Sequence, residues 1–488
     1  MKLMIEKFLD DRYESTFKIF GAFIFLYSLS NYFMESLTHM TTSNIVPGIS
    51  PHLNMGIPYE NYWDVYPPGI YIFYYLLYFI TYDNFFAYSI LHTVILASCI
   101  FFSYKIYKKL ETPIFVYYVG LTYFLSPLYI DYLLPNDLIG LFFSFLGLYL
   151  YLYLNDGKKK YIYSNFFLIF AFLIKETFFL SSFTIISILL IRGDAKGIKY
   201  SLYGIFSSFL FLLTFTETLS ITKDVIDSYV IKFEIFSFEE IILKGLPLLV
   251  ISFIFLVFIK FKPSNVMVKK LSRLFNEDAY IVFVYSALML LSYLLINKDD
   301  GGHFDIPKIF AVIFLLNILF RVNVSKLFIA LLIILASGFA LKLNHSMYSY
   351  LLIEPNFKHQ ENLATKNISP DVYKLLAEDS SEFLYLYGWG SSDVYYELKV
   401  MPYSKYWIIH PGILSDKQID EFKTILKNKP PKYIFYCGLN DNCVIDFDYK
   451  NFELEYINFN KIITDCYQKI DENIFTLVDL SCTKEINF

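Results

Sequence analysis

The sequence predicts an α-helical polytopic membrane protein of about 11 transmembrane helices that ends in an extracytoplasmic α/β domain. Three observations carry that expectation. The 488 residues are 56% hydrophobic, 20% aromatic and only 18% charged, with mean hydropathy +0.46, against about 25% charged for a usual soluble domain. Apolar runs recur as far as residue 341, and the loops between them divide sharply by basic content. Beyond residue 342 those runs stop, and short alternating segments replace them. Net charge is a modest −5 with no basic stripe, which excludes a nucleic-acid partner.

The first apolar run, 17–34, lacks a basic leader and a small-residue cleavage site, so it is read as an uncleaved anchor. Ten more runs follow, at 84–104, 113–130, 137–154, 161–173, 177–191, 200–215, 246–259, 279–296, 307–320 and 327–341. A shorter stretch, 69–80, follows Pro67-Pro68 and either spans or lies at the interface. Charge decides between those options. With 69–80 at the interface, loops 105–112, 155–160, 192–199, 260–278 and 321–326 share one side and carry 16 basic residues. The opposite loops hold six, and 35–69 has none. The positive-inside rule places the first set in the cytoplasm, with the N-terminus inside and the tail outside the plasma membrane.

The tail, 344–488, is long enough to bury its own core. Its runs 383–387 and 433–436 read as strands, and Ile419, Phe422, Ile425 and Leu426 give 416–428 a helical face. Strand, helix, then strand after Pro430-Pro431 describes a small α/β unit. Four of the five cysteines, Cys437, Cys443, Cys466 and Cys482, fall in this tail, while Cys99 sits in a membrane run. A short-loop Cys437–Cys443 disulfide is sterically open, four cysteines allow three pairings, and four free thiols are the alternative.

Polar groups at membrane depth are costly, so their positions inform. Glu60 and Asp64 lie four residues apart among Tyr59, Tyr62, Trp63, Tyr66, Pro67 and Pro68, a setting that desolvates a carboxylate and suits a general base. An aromatic belt at the membrane surface has the same composition. Asp131 and Asp137 bracket Pro135-Asn136, where Asp137 either caps the next helix or joins a site. Lys175-Glu176 interrupts 161–191, which as one helix measures about 46 Å, too long for one crossing of a ~30 Å core. Split there, each arm is about 20 Å, which sinks the pair below the outer surface. It then offers a buried ammonium to a phosphate, or forms a self-paired hairpin tip. The loop 297–308 adds His303, three aspartates and Lys308, read as ligands for a metal or phosphorylated headgroup or as solvated loop residues. The chain contains no Walker loop, His-Glu-x-x-His or Gly-x-Ser-x-Gly.

An anchor helix, then a long outer loop ending Gly56-Ile57-Pro58-Tyr59 and Pro67-Pro68-Gly69-Ile70-Tyr71, then many membrane helices, resembles the polytopic glycosyltransferases of the C-type fold (GT-C). The likeness is to bacterial and archaeal members akin to protein O-mannosyltransferases and lipid A aminoarabinose transferases. Pro135-Asn136-Asp137-Leu138, Ala171 to Thr177, Gly302-His303-Phe304-Asp305-Ile306-Pro307, Tyr387-Gly388-Trp389-Gly390 with Val394-Tyr395-Tyr396, Pro402 to Tyr406, and Pro430 to Ile434 extend it along the chain. The resemblance implies a GT-C-like domain over 1–343, with first outer loop 35–83, and the extracytoplasmic domain over 344–488. It further implies transfer of a sugar from a polyprenyl-phosphate donor to an acceptor hydroxyl of a lipid, polysaccharide or protein, with inversion. Asp64 or Glu60 then serves as base, while Lys175, Glu176, Asp131, Asp137, His303, Lys308, Tyr59 and Tyr66 bind substrate beside membrane lipids. The resemblance assigns no cofactor, and a divalent cation is compatible. The chain differs from the family in having Thr42-Ser43-Asn44, Asn61 and Tyr66 where acids and a basic residue are usual. A glycan-binding relative without activity, and a lipid-linked-sugar flippase or transporter, are the competing expectations.

Overall fold

The computed structural model describes residues 67–81, 85–110, 135–215, 277–295, 371, 374–375, 383–386, 403–404, 416–436, 463–471 and 474–478. The expected spans at 17–34, 113–130, 246–259, 307–320 and 327–341 lie outside them. The described residues fall in two compact units, one holding 87–215 and 277–295, the other 67–86 and the tail elements.

In the second unit, α1 (Pro68–Thr81) opens on Pro68, whose missing N–H costs nothing in a first turn. Its 14 residues measure about 21 Å, short of a ~30 Å hydrocarbon core. Ile70, Tyr71, Ile72, Tyr74 and Leu77 are buried, while Phe79 and Ile80 are exposed.

The first unit is a helix bundle. Helix α2 (Phe85–Lys109) carries Lys108 and Lys109 in its last turn, where cations meet the helix dipole favourably. The lysines assigned from sequence to loop 105–112 thus extend the helix instead. Helix α3 (Pro135–Tyr153) again starts on proline. Helix α4 (Gly157–Ile174) begins four residues before the expected 161 because Asp156 caps it, accepting from the backbone N–H of Lys158 at 3.0 Å and Lys159 at 3.3 Å. It stops at Lys175, whose φ −145° and ψ 125° are extended. A 3₁₀ turn (Glu176–Phe178), α5 (Phe179–Ser182) and α6 (Thr184–Arg192) return the chain. Gly193, at φ 69°, closes α6 in the left-handed region that favours glycine. Asp194 then caps α7 (Ala195–Phe215), accepting from Gly197 N–H at 2.9 Å. Helix α8 (Glu277–Leu295) completes the bundle.

Helix–helix approach follows the small residues. Ser164 carbonyl and the Leu168 side chain fill the space beside Gly147, bringing α4 against α3. At Gly204 an added Cβ would strike the carbonyl oxygen of Ile162, so α7 and α4 meet nearly backbone to backbone. Gly197, Ser201, Gly204 and Ser208 share that face of α7, and all are buried. Polar side chains seal the contacts. Asn165 Nδ2 donates to Ser201 Oγ at 3.0 Å, and Ser208 donates to Phe166 carbonyl at 2.7 Å. Ser182 donates to Leu168 carbonyl at 2.6 Å, pinning α5 back along α4 as a helical hairpin. Ser144 and Tyr285 share a hydrogen bond from α3 to α8, and Leu180 N–H donates to Ser292 at 2.7 Å. Three described helical segments, Ile90–Lys109, Asn136–Tyr153 and Ala195–Thr214, are long and apolar enough to cross a membrane.

These contacts sort the bundle's ends. Tyr153 donates to Lys105 carbonyl at 2.7 Å, Lys160 Nζ lies 4.0 Å from the centroid of the Tyr151 ring, and Tyr161 donates to Asp194 at 3.4 Å. The three basic segments 105–109, 158–160 and 192–199 therefore collect at one end of the bundle. The hairpin tip at Lys175 is at the other.

The tail elements match their expected order: β1 (Phe383–Leu386), α9 (Asp416–Asn428) and β2 (Tyr433–Tyr436). β1 and β2 pair in parallel, Phe383 opposite Tyr433, as a strand–helix–strand crossover requires. Helix α9 buries Phe422 and Leu426 and ends before Pro430-Pro431. Two further strands, β3 (Tyr467–Asp471) and β4 (Ile474–Leu477), form an antiparallel hairpin that completes the order β1-β2-β4-β3. Cys466 is disulfide-bonded, which removes the reading of four free thiols; its partner lies outside the described residues. Cys99 is a buried free thiol.

Replacing Gly204 by leucine should force α7 from α4 and cost about 1–3 kcal/mol in thermal unfolding of the purified protein. Gly157→Ala, where an added Cβ meets nothing within 4 Å, should stay within about 0.5 kcal/mol. In the tail, Tyr467 donates to Pro431 carbonyl at 2.8 Å, and burial pushes its phenol above the usual value. Its contribution is complete below the unfolded-state pKa of about 10 and is lost as pH rises beyond it, because the unfolded chain ionises first. Unfolding midpoints compared from about pH 8 to about pH 11 should show that decline softened in Tyr467→Phe.

Candidate functional site

Among the described residues, one charged cluster is buried in the bundle, and it sits at the hairpin tip. Lys175 Nζ lies 4.0 Å from Asp137 Oδ2 and 3.9 Å from Glu176 Oε1, with side-chain exposures of 1%, 3% and 12%. Each residue is placed by a local feature of the chain. Asp137 is the third residue of α3, in its first turn, where the helix dipole favours a carboxylate. It does not precede the helix, so the cap reading is corrected: its oxygen faces an ammonium. Lys175 is the extended residue between two helices, and Glu176 opens the 3₁₀ turn.

Gly140 makes the meeting geometric. It lies one turn from Asp137 on α3, and an added Cβ there would come within 2.5 Å of Phe178 Cε2. Phe178, fully buried, thus packs its ring against Gly140 of α3 and brings the tip, with Lys175 and Glu176, beside Asp137. Neither Gly140 nor Phe178 was singled out from sequence; a glycine three residues after a helix-start acid was the available signal. Beside the cluster, Asn136 Oδ1 and Thr177 Oγ1 are buried and have no hydrogen-bond partner among the described residues.

Lys175 is thus buried and paired with Glu176 at a hairpin tip, with Asp137 as a third member. From Tyr161, just past the last lysine, to Ile174 the helix has 14 residues, about 21 Å against a ~30 Å core. Glu60, Asp64, Tyr59, Tyr66, Asp131, His303 and Lys308 lie outside the described residues. Among the described residues no group of three or more His, Cys, Asp or Glu is arranged to hold a metal ion.

One ammonium and two carboxylates, when all ionised, leave the cluster at net −1. Both separations exceed a charge-assisted hydrogen bond of about 2.7–2.9 Å, so the pairs attract across a small gap. Burying such groups costs several kcal/mol per ion, and removing the one cation that the described residues place there raises that cost.

Together these features define a multi-pass membrane protein with a distinct C-terminal sheet region. No family model, curated protein or solved structure matches the chain.

Lys175→Met should lower the stability of the detergent-purified protein by about 3–5 kcal/mol. Adding Asp137→Asn and Glu176→Gln to that variant should recover much of the loss, because neutral amides no longer need the ammonium. Equal stability of Lys175→Met and the parent in thermal unfolding would contradict a buried ion cluster.

Proposed function

We propose that this protein is a membrane glycosyltransferase of the GT-C type, with about 11 spans. It moves a sugar from a polyprenyl-phosphate donor to an acceptor hydroxyl on the extracytoplasmic side. The observation that supports this most is the sunken cluster Asp137–Lys175–Glu176, at the end of the bundle away from the lysine-rich segments. A lipid-linked donor reaches its enzyme from within the bilayer, and a charged crevice below the outer surface is where its phosphate meets a cation. The sequence resemblance supplies the rest of the reading.

The chemistry asks for three things. The acceptor oxygen attacks the anomeric carbon from the face opposite the phosphate, and the bond from that carbon to the phosphate oxygen breaks with inversion. The hydroxyl proton passes to Asp64 or Glu60 of the first outer loop, and the phosphate leaves with the bonding electron pair. The charge developing on that phosphate needs a positive partner in a water-poor setting. Lys175 takes that role by exchanging a carboxylate partner. Glu176, more exposed than Asp137 at 12% against 3%, is the one able to turn toward solvent.

The deciding experiment incubates the purified full chain with a radiolabelled polyprenyl-phosphate sugar and an acceptor-bearing membrane extract. Label should pass to the acceptor from the lipid donor and not from a nucleotide sugar; equal use of both donors refutes the assignment. Asp64→Asn should then lower kcat about 10²- to 10⁴-fold with little change in donor KM, since a base acts only in the transition state. Full activity in a Glu60→Gln, Asp64→Asn double variant would remove both acids from the mechanism.

A further inference from the structure

Helix α7 has two opposed faces. One packs on α4 through Gly197, Ser201, Gly204 and Ser208. On the other, Lys199, Tyr203, Phe206, Leu210 and Leu213 recur at helical spacing, and all five are exposed. From Lys199 to Leu213 that stripe runs about 21 Å, and α7 is the least buried of the three described candidate spans.

The polar end of this stripe is net basic. Lys158, Lys196 and Lys199 are exposed and, among the described residues, take part in no ion pair. Lys158 Nζ stands 5.9 Å from the centroid of the Tyr200 ring, and Lys199 Nζ stands 5.9 Å from that of Tyr203. The aromatic rings thus hold both ammonium groups at the top of α7. The acids nearby are already engaged. Asp194 accepts from Gly197 N–H and from Tyr161, and Asp156 caps α4 and pairs with Lys159 at 3.9 Å.

We propose that this face binds an anionic phospholipid, its phosphodiester held by Lys158, Lys196 and Lys199 and its acyl chains lying along Tyr203, Phe206, Leu210 and Leu213. The occupant follows from the joined chemistry. Un-neutralised cations select an anion, and a continuous apolar stripe longer than half a ~30 Å core selects one that carries hydrocarbon. A soluble anion leaves the stripe uncovered, and a zwitterionic lipid leaves the cations unmatched.

The test is native mass spectrometry of the full chain, purified in detergent and titrated with phosphatidylglycerol and phosphatidylcholine in competition. Wild type should retain phosphatidylglycerol with a preference on the order of tenfold. Lys158→Gln, Lys196→Gln and Lys199→Gln together should abolish it, while Lys159→Gln, whose ammonium is matched by Asp156, should leave it. Should the triple variant fold poorly, wild type in about 1 M salt reads the same interaction, because screening shortens to about 3 Å and the preference must collapse. Equal retention of both lipids by wild type, a preference surviving the triple substitution, or one surviving salt each overturns the proposal.

Discussion

Nearly backbone-to-backbone approach at α4 is the constraint on which the rest of the bundle depends. Gly147 admits it on the α3 side and Gly204 on the α7 side. In an apolar solvent there is no hydrophobic gain from helix association, so close van der Waals contact and satisfied polar groups must supply it. With α4 fixed between its neighbours, Asn165 reaches Ser201 and Ser208 reaches the Phe166 carbonyl. The same fixing decides where α4 ends, and therefore where Lys175 stands relative to the start of α3. The ion cluster is a consequence of helix packing as much as of charge.

Buried ions are a poor device for stability, since an apolar cluster of equal volume often does as well. Their value here is positional. Lys175 is the residue at which a helix becomes a turn, and its partners come from that turn and from a helix start 38 residues earlier. A hydrophobic tip could slide along α3, whereas an ammonium between two carboxylates cannot without separating charges in a dry environment. Phe178 against Gly140 fixes the depth of the tip, and the ions fix its orientation.

How much of this was legible in the sequence depended on whether the signal was local. The 137–154 run gave α3 to within two residues, and 200–215 located α7, because length and hydropathy are properties of the segment itself. Helix starts were misplaced wherever they are polar. Counting apolar residues put the start of α4 at 161, although Asp156 and the three lysines that follow belong to the cap and first turn. In the tail, 383–386, 416–428 and 433–436 were legible through their alternation and helical face. Strands β3 and β4 were not, because Tyr467–Asp471 exposes Gln468, Lys469 and Ile470 in succession and shows no alternation. Asp137, Lys175 and Glu176 were each singled out, but as two separate features. Only the fold of the hairpin, through Gly140, makes them one.

The charge count of that cluster constrains any chemistry assigned to it. With all three ionised, the described members carry one more negative charge than positive, which by itself disfavours a second anion beside Lys175. Withdrawing one carboxylate removes that excess, because one ammonium and one carboxylate balance at net zero. The two acids are not equal in this respect. Asp137 is held by a helix start and is the more deeply buried. Glu176 sits on a three-residue turn at the tip and has the greater access to water. Under the proposed glycosyl transfer, a donor phosphate at Lys175 therefore requires one of the two carboxylates to move aside, and Glu176 has the freer path.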